Sequence, residues 1–254
     1  MNMEIERPRI TCEETDNGAF ARFVVEPLEK GYGITLGNAM RRTLLSSLPG
    51  SAPIAVRIAG VSHEFSTIRG VSEDVVDIIL NLKGLAVKCK DQSKDFVTYL
   101  HLRKSGVNTI TAKDFEDNSD VEILNPDLYI CTMDEGSVLD MDLMIANGRG
   151  YVPNSENKSR FDDIDYIAMD SLFSPVKKVN FNVESTRVGQ SVNYDKLTLE
   201  VETNGTTSAR DIVSLAGKIV MEHVNLFVEL CAQMANTFTS PSFPPRLPWC
   251  WGCP

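Results

Sequence analysis

The spacing of apolar residues divides the chain before any chemistry is considered. Leu36, Met40, Leu44 and Leu48 recur one helical turn apart. They predict an amphipathic helix over 35–48, with Thr35 as its cap and Pro49-Gly50 as its stop. At about 100° per residue, Arg42 points almost opposite Met40 and Arg41 lies on the flank, so this helix has an apolar face and a cationic back. SEDVVDIILNLK at 72–83 predicts a second helix. It has a serine cap, acids in its first turn, a stripe of Val75, Ile79 and Leu82, and Gly84 just past its end. A third and longer helix is expected over about 208–236. Ile212, Leu215, Ile219, Leu226 and Leu230 are joined there by Val213, Val220, Val224, Phe227 and Val228. A helix lying on a surface does not need so wide an apolar stripe, so this one packs on two sides or against another chain.

Between these helices the period changes to two. Ala19 to Val25 has a strand pattern, Pro27 reads as a turn, and Ile54, Val56 and Ile58 alternate. Residues 85–145 are mainly strand-like, with clear alternation in FVTYLHLR at 96–103 and VLDMDLMI at 138–145. The polar, glycine-rich run 147–163 predicts a loop. Strands return at 179–183 and 197–201, and TNGT at 203–206 forms a turn into the long helix. Residues 240–254 hold five of the twelve prolines and both tryptophans, a composition that forbids helix and sheet and predicts an unstructured tail over 237–254.

Composition narrows the function classes. A chain of 254 residues, 43 % apolar, can bury a sizeable core. The net charge of −10 argues against a general nucleic-acid coat. MNMEIERPRI has no apolar leader, and no run approaches the ~20 apolar residues of a membrane span, so a cytoplasmic address is expected. Cysteines in that setting are thiols, and Cys12, Cys89, Cys131 and Cys231, scattered singly, fit buried small apolar positions.

Three stretches could carry chemistry. Gly31, Gly33 and Gly37 suggest a dinucleotide loop, but the third glycine is one position late and falls inside the helix. Tight turning and close helix packing explain them better. Trp249-Cys250-Trp251-Gly252-Cys253 resembles a redox W-C-x-x-C, yet only Pro254 follows, so no helix can lower the first thiol's pKa. Two thiolates also make only half a zinc site. Asp140 and Asp142 form a D-x-D, but alternation places Met141, Leu143 and Ile145 inside and both acids on a solvated strand face. His63, His101 and His223 have no recognisable nucleophile or metal spacing. A nucleotide-binding enzyme and a thiol oxidoreductase are thus weighed against an interaction protein, and the residues favour the last.

Four long blocks then carry a resemblance: EPLEKGYGITLGNAMRRTLLSSLPG at 26–50, HEFSTIRGVSEDVVDIILNLKGL at 63–85, GRGYVP at 148–153 and SPVKKVNFNVESTRVGQSVNYDKLTLEVETNGT at 174–206. Each resembles the N-terminal domain of the α subunit of bacterial DNA-directed RNA polymerase. The resemblance implies an α+β fold. Residues 1–49 and 177–236 would form a dimerisation subdomain, an antiparallel sheet plus two helices, and 50–176 an inserted mostly-β subdomain. It implies a homodimer interface from Leu36, Met40, Leu44, Ile212, Leu215, Ile219, Leu226, Phe227 and Leu230. It implies docking of the β subunit at Arg42 and Leu45, and of β′ at Lys83 and Met169. The role implied is assembly of a nucleotidyltransferase without catalysis, since the family's magnesium site belongs to β′ and its N-A-D-F-D-G-D motif is absent. No metal or cofactor is expected. The family's DNA-contacting C-terminal domain is missing, so no direct DNA contact is expected, and a truncated or frameshifted α fragment that still dimerises is the alternative.

Overall fold

The computed structural model describes residues 8–237, apart from 16–17, 92, 94, 162 and 189–190. The predicted tail therefore lies, from residue 238 onward, outside the described residues, and with it the cysteine pair Cys250 and Cys253. In chain order the principal elements are β1 (Arg9–Glu14), β2 (Phe20–Glu29), α1 (Tyr32–Ser46), β3 (Pro49–Ile58), α2 (Val75–Leu82), β4 (Val87–Cys89), β5 (Val97–Ser105), β6 (Asn108–Thr111), β7 (Val121–Ile123), β8 (Tyr129–Met133), β9 (Val138–Arg149), β10 (Tyr151–Val152), α3 (Asn154–Asn157), β11 (Ile167–Ala168), β12 (Ser171–Leu172), β13 (Val176–Val188), β14 (Ser191–Thr203) and α4 (Ala209–Thr237).

The fold is α+β. Both ends of the described chain build one antiparallel sheet of order β1-β2-β14-β13. α1 packs on β13 and β14, and α4 packs against α1. Ala21, Phe23, Leu44, Leu48, Leu199, Val201 and Ile212 form the core between sheet and helices. The middle of the chain builds a second antiparallel sheet, β5-β9-β3-β4-β7, with β11 alongside β3. On one face of it α2 buries Val75, Ile78, Ile79 and Leu82 among Leu100, Leu102, Met141 and Leu143. On the other, Phe173 and Val152 cover Ile54, Ala55 and Met144.

The predicted elements exist, with revised limits. α1 starts at Tyr32, three residues before the expected cap. Thr35 lies inside the helix and its hydroxyl donates back to the Gly31 carbonyl at 3.2 Å. Leu48 lies beyond the helix, fully buried, and Pro49 and Gly50 begin β3. α2 is capped by Asp74, which accepts from the Asp77 N–H at 2.7 Å, and not by Ser72. Pro27 is not in a turn: β2 runs through it, with a cis bond to Glu26. The expected loop 147–163 is shorter, because β9 continues to Arg149 and β10 and α3 follow.

Candidate interaction surfaces

The glycine run sets the position of α1. Gly31 has a φ of 92° and ends β2's approach in the left-handed region that glycine adopts freely. A Cβ on Gly33 would stand 2.7 Å from Val183 Cγ1, and one on Gly37 would stand 2.6 Å from the Phe181 ring, so these two let the helix lie directly on β13. The N–H groups of Gly31 and Gly33 donate to Asp195 Oδ2 of β14, at 2.8 and 3.3 Å. The positive end of α1 thus already holds an anion, the chain's own carboxylate, where a nucleotide loop would hold phosphate.

From this anchored start, α1 and α4 present an apolar face of graded exposure. Leu44 is 0 % exposed and Ile212 2 %, so neither has surface for a second chain to cover. Both belong to the chain's own core. Met40 and Ile219 are half-buried against that core. Leu36 and Leu215 are exposed, and further along α4 exposure rises to 63 % at Leu226 and 71 % at Phe227. Every described side chain from Met221 to Glu229 is exposed, including Val224 and Val228. The side chain of Leu230 lies outside the described residues. Tyr32, Ile34 and Met221 are further exposed apolar groups on these helices. The first two were missed because the helix was expected to begin after them. On α1, Arg41, Arg42 and Leu45 are all exposed.

A second place brings together residues far apart in sequence. Lys83, at the end of α2, lies 2.5 Å from the carboxylate of Asp170. Partial burial pushes the Asp170 carboxyl up, but its hydrogen bond to Lys83, its own backbone, the lysine's charge and the Tyr151 hydroxyl outweigh this and hold it below the usual range. Met169, adjacent, is only 2 % exposed, and its N–H donates to the Ile54 carbonyl at 2.9 Å. Its side chain packs in the large core.

The remaining candidates form no active centre. Asp142 is not on a solvated face: its side chain is largely buried, bonded to Arg57 on β3 and His101 on β5. The Asp142 hydrogen bond raises the His101 pKa. Asp140 lies about as far from His101 as from Arg103, 4.0 Å in each case. His63 contacts the Ser66 hydroxyl, and His223 donates to the Ile219 carbonyl one turn back. Cys89 and Cys131 are buried thiols, Cys131 pushed up to about 12 by burial, with the nearby Glu73 adding to it. Cys12 is exposed on β1, contrary to the expectation of a buried position. Among the described residues no group of three His, Cys, Asp or Glu lies close enough to hold a metal ion. Among them too, no helix is long and apolar enough to cross a membrane.

Sequence comparison agrees with the architecture. The family described as the RNA polymerase Rpb3/RpoA insert domain matches residues 56–174, the span of the middle sheet. The DNA-directed RNA polymerase subunit alpha of Desulfitobacterium hafniense (strain DSM 10664 / DCB-2) is 52 % identical over 235 residues, covering 92 % of this chain and 74 % of its own length. The subunit of the same description from Carboxydothermus hydrogenoformans is 54 % identical over 228 residues, 90 % of this chain and 72 % of its own. That of Clostridium botulinum (strain Eklund 17B / Type B) is 50 % identical over 229 residues, with the same coverage. With half its residues shared across nine-tenths of its length, the chain belongs to the family of α subunits of bacterial DNA-directed RNA polymerase.

Proposed function

We propose that this chain homodimerises through α1 and α4, and that the dimer collects the β and β′ subunits into the core of a DNA-directed RNA polymerase in the cytoplasm without itself catalysing nucleotidyl transfer. The observation that carries the reading is the far half of α4. Met221, Val224, Leu226, Phe227 and Val228 are each more than half exposed on one helix. So many large apolar side chains left exposed along one helix mark an interface. A twofold contact lets the same patch meet itself. Residues 1–49 and 177–236 then act as the dimerisation subdomain and 50–176 as the insert, a division supported by the separate cores. Arg42 and Leu45, exposed on α1, suit docking of β, because a guanidinium fork can pair with carboxylates or carbonyls across an interface. Direct DNA contact forms no part of the role, in keeping with a net charge of −10.

Light scattering tests the first step and co-purification the second. The expected result is a dimer that retains β. Arg42→Ala should leave the dimer mass unchanged and weaken capture of β by roughly tenfold, as for one interfacial arginine worth ~1–2 kcal/mol. Equal capture by variant and wild type would remove Arg42 from the β surface. A monomeric wild type would overturn the dimer.

A further inference from the structure

We propose that Asp195 is the positioning residue of α1. Its carboxylate fixes where the helix starts and how it lies on the sheet, and so sets where the helix presents its dimer face and the exposed Arg42 and Leu45. This rests on the reading of α1 as a helix that meets partners, and it adds a residue outside the faces assigned to them.

The strand under the helix changes character at this residue. Side chains two apart on a strand share a face. Leu197, Leu199 and Val201 form the inward row of β14, and all three are buried. Asp195 is the next step of that row, towards the start of α1. The register against β2 also shifts here: Asp195 faces Leu28 and Leu197 faces Val25, so β2 carries one residue more than β14 over this step. A bulge bends the strand that carries it, and β2 leads directly to Gly31. A carboxylate therefore stands in an otherwise apolar row, where the chain turns into the helix.

The helix has no local substitute for it. Gly31 provides no side-chain cap, and the first turn of α1 carries no acid. The N–H groups of a first turn have no partner within the helix, and those of Gly31 and Gly33 share Asp195 Oδ2. The seat is built by the same residues. A Cβ on Gly33 would stand 3.1 Å from Asp195 Cβ, and one on Gly37 would stand 3.0 Å from Leu197 Cδ1. Gly33 and Gly37 are about one turn apart, so the helix rests on two successive steps of the β14 row. Apolar contact with Leu197 and Phe181 is non-directional and resists sliding weakly. Two hydrogen bonds to one oxygen are directional and fix the axial position.

The far end of α1 is held separately. Leu44 and Leu48 are fully buried, and the Ser174 hydroxyl donates to the Leu44 carbonyl at 3.3 Å. Loss of the Asp195 anchor should then loosen the seating of α1 without unfolding it. A slip of one residue's rise is only ~1.5 Å, but a contact surface held loosely by its supporting residues loses its fit.

The test compares the full wild-type chain with Asp195→Asn, Asp195→Ala and, as a control, Leu82→Ala in the closed core of the insert. Three quantities are read: amide hydrogen exchange at Gly31 and Gly33, the dimer dissociation constant by sedimentation across a dilution series, and capture of purified β at concentrations where each variant is dimeric. In Asp195→Ala, exchange at Gly31 and Gly33 should rise at least tenfold while the amides of the insert keep their wild-type rates. Its dimer constant and its β capture should each weaken about three- to tenfold, as for loss of charge-assisted hydrogen bonds. Asp195→Asn keeps the size and an acceptor oxygen without the charge, so it should fall between Asp195→Ala and wild type, and it carries the test if Asp195→Ala does not fold. Leu82→Ala lowers stability and should leave dimer constant and β capture at their wild-type values. Faster exchange with wild-type dimerisation and β capture would confine Asp195 to local helix stability and overturn the positioning role. An equal loss of capture in Leu82→Ala would assign the effect to general destabilisation and overturn it as well. A wild type that neither dimerises nor captures β would overturn the assembly reading and the positioning role with it.

Discussion

The two cores of this molecule are closed to different degrees. In the insert, α2 covers its sheet completely: Val75, Ile78 and Leu82 have no exposed surface, and Leu100, Leu102 and Met141 beneath them have next to none. In the layer built from the chain ends, α1 and the first turns of α4 cover their sheet, but α4 then runs on with Met221, Val224, Leu226, Phe227 and Val228 exposed among the described residues. A short helix of eight residues is consumed by its own core, while a helix of 29 residues outruns it. The difference teaches which half has apolar surface to spare. The closed core gives the insert its stability, and the open one leaves surface that the proposed dimer would bury.

The largest expected effect breaks the open half. Phe227→Glu puts a charge on a group that is 71 % exposed in the single chain, so the fold should be unchanged. In a twofold dimer the loss occurs twice. At about 1.5–3 kcal/mol for each buried aromatic, that totals about 3–6 kcal/mol, enough to weaken dimerisation by roughly 10²–10⁴. Sedimentation across a dilution series would read it, and an unchanged dissociation constant would place the interface elsewhere. Next comes the closed half. Leu82→Ala removes a side chain with no exposed surface and should cost about 2–5 kcal/mol in denaturant unfolding. The dimer constant should stay at its wild-type value, because nothing on α2's buried stripe faces outward. If both variants lowered both quantities together, the two cores would be one cooperative unit.

Much of this contrast could be read along the chain. Helical periodicity located all three major helices, and the surplus of apolar positions on the last one predicted that its own core would not use them. What could not be read depended on residues distant in sequence. Thr35 is the natural local cap, but the group that holds the start of α1 is Asp195, 164 residues away, and it pulls the helix start back to Tyr32. Leu44 and Ile212 sit on the correct stripe, yet periodicity gives a direction and not a depth, and both prove to be core. Met169 is hidden because β11 pairs with β3, a match between short strands that no local pattern announces. Asp140 and Asp142 alternate as a solvated face should. Only the neighbouring strands reveal that Arg57 and His101 close over Asp142.

That charged cluster gives the smallest effect and the last way to sharpen the comparison. His101 faces Asp142 and Asp140 from β9, with Glu116 also near, and the Asp142 hydrogen bond raises its pKa above the ordinary 6.5. A group whose folded pKa is raised adds stability that is fully present below its unfolded pKa. That stability is lost as pH rises through the folded value. Raising the pH from about 6 to about 8 should therefore lower the insert's stability slightly, the effect being modest because the pair is partly open to solvent. His101→Gln should remove this slope while keeping a polar group beside Asp142. The check is denaturant unfolding of wild type and variant at both pH values, with dimer mass recorded alongside. A slope confined to wild type, with the dimer constant flat, assigns it to the outer face of the insert. An equal slope in both proteins would mean that another group carries it. A dimer constant that moved with pH in step with the slope would show that the insert and the α4 face are coupled, and the two cores could then no longer be treated as independent.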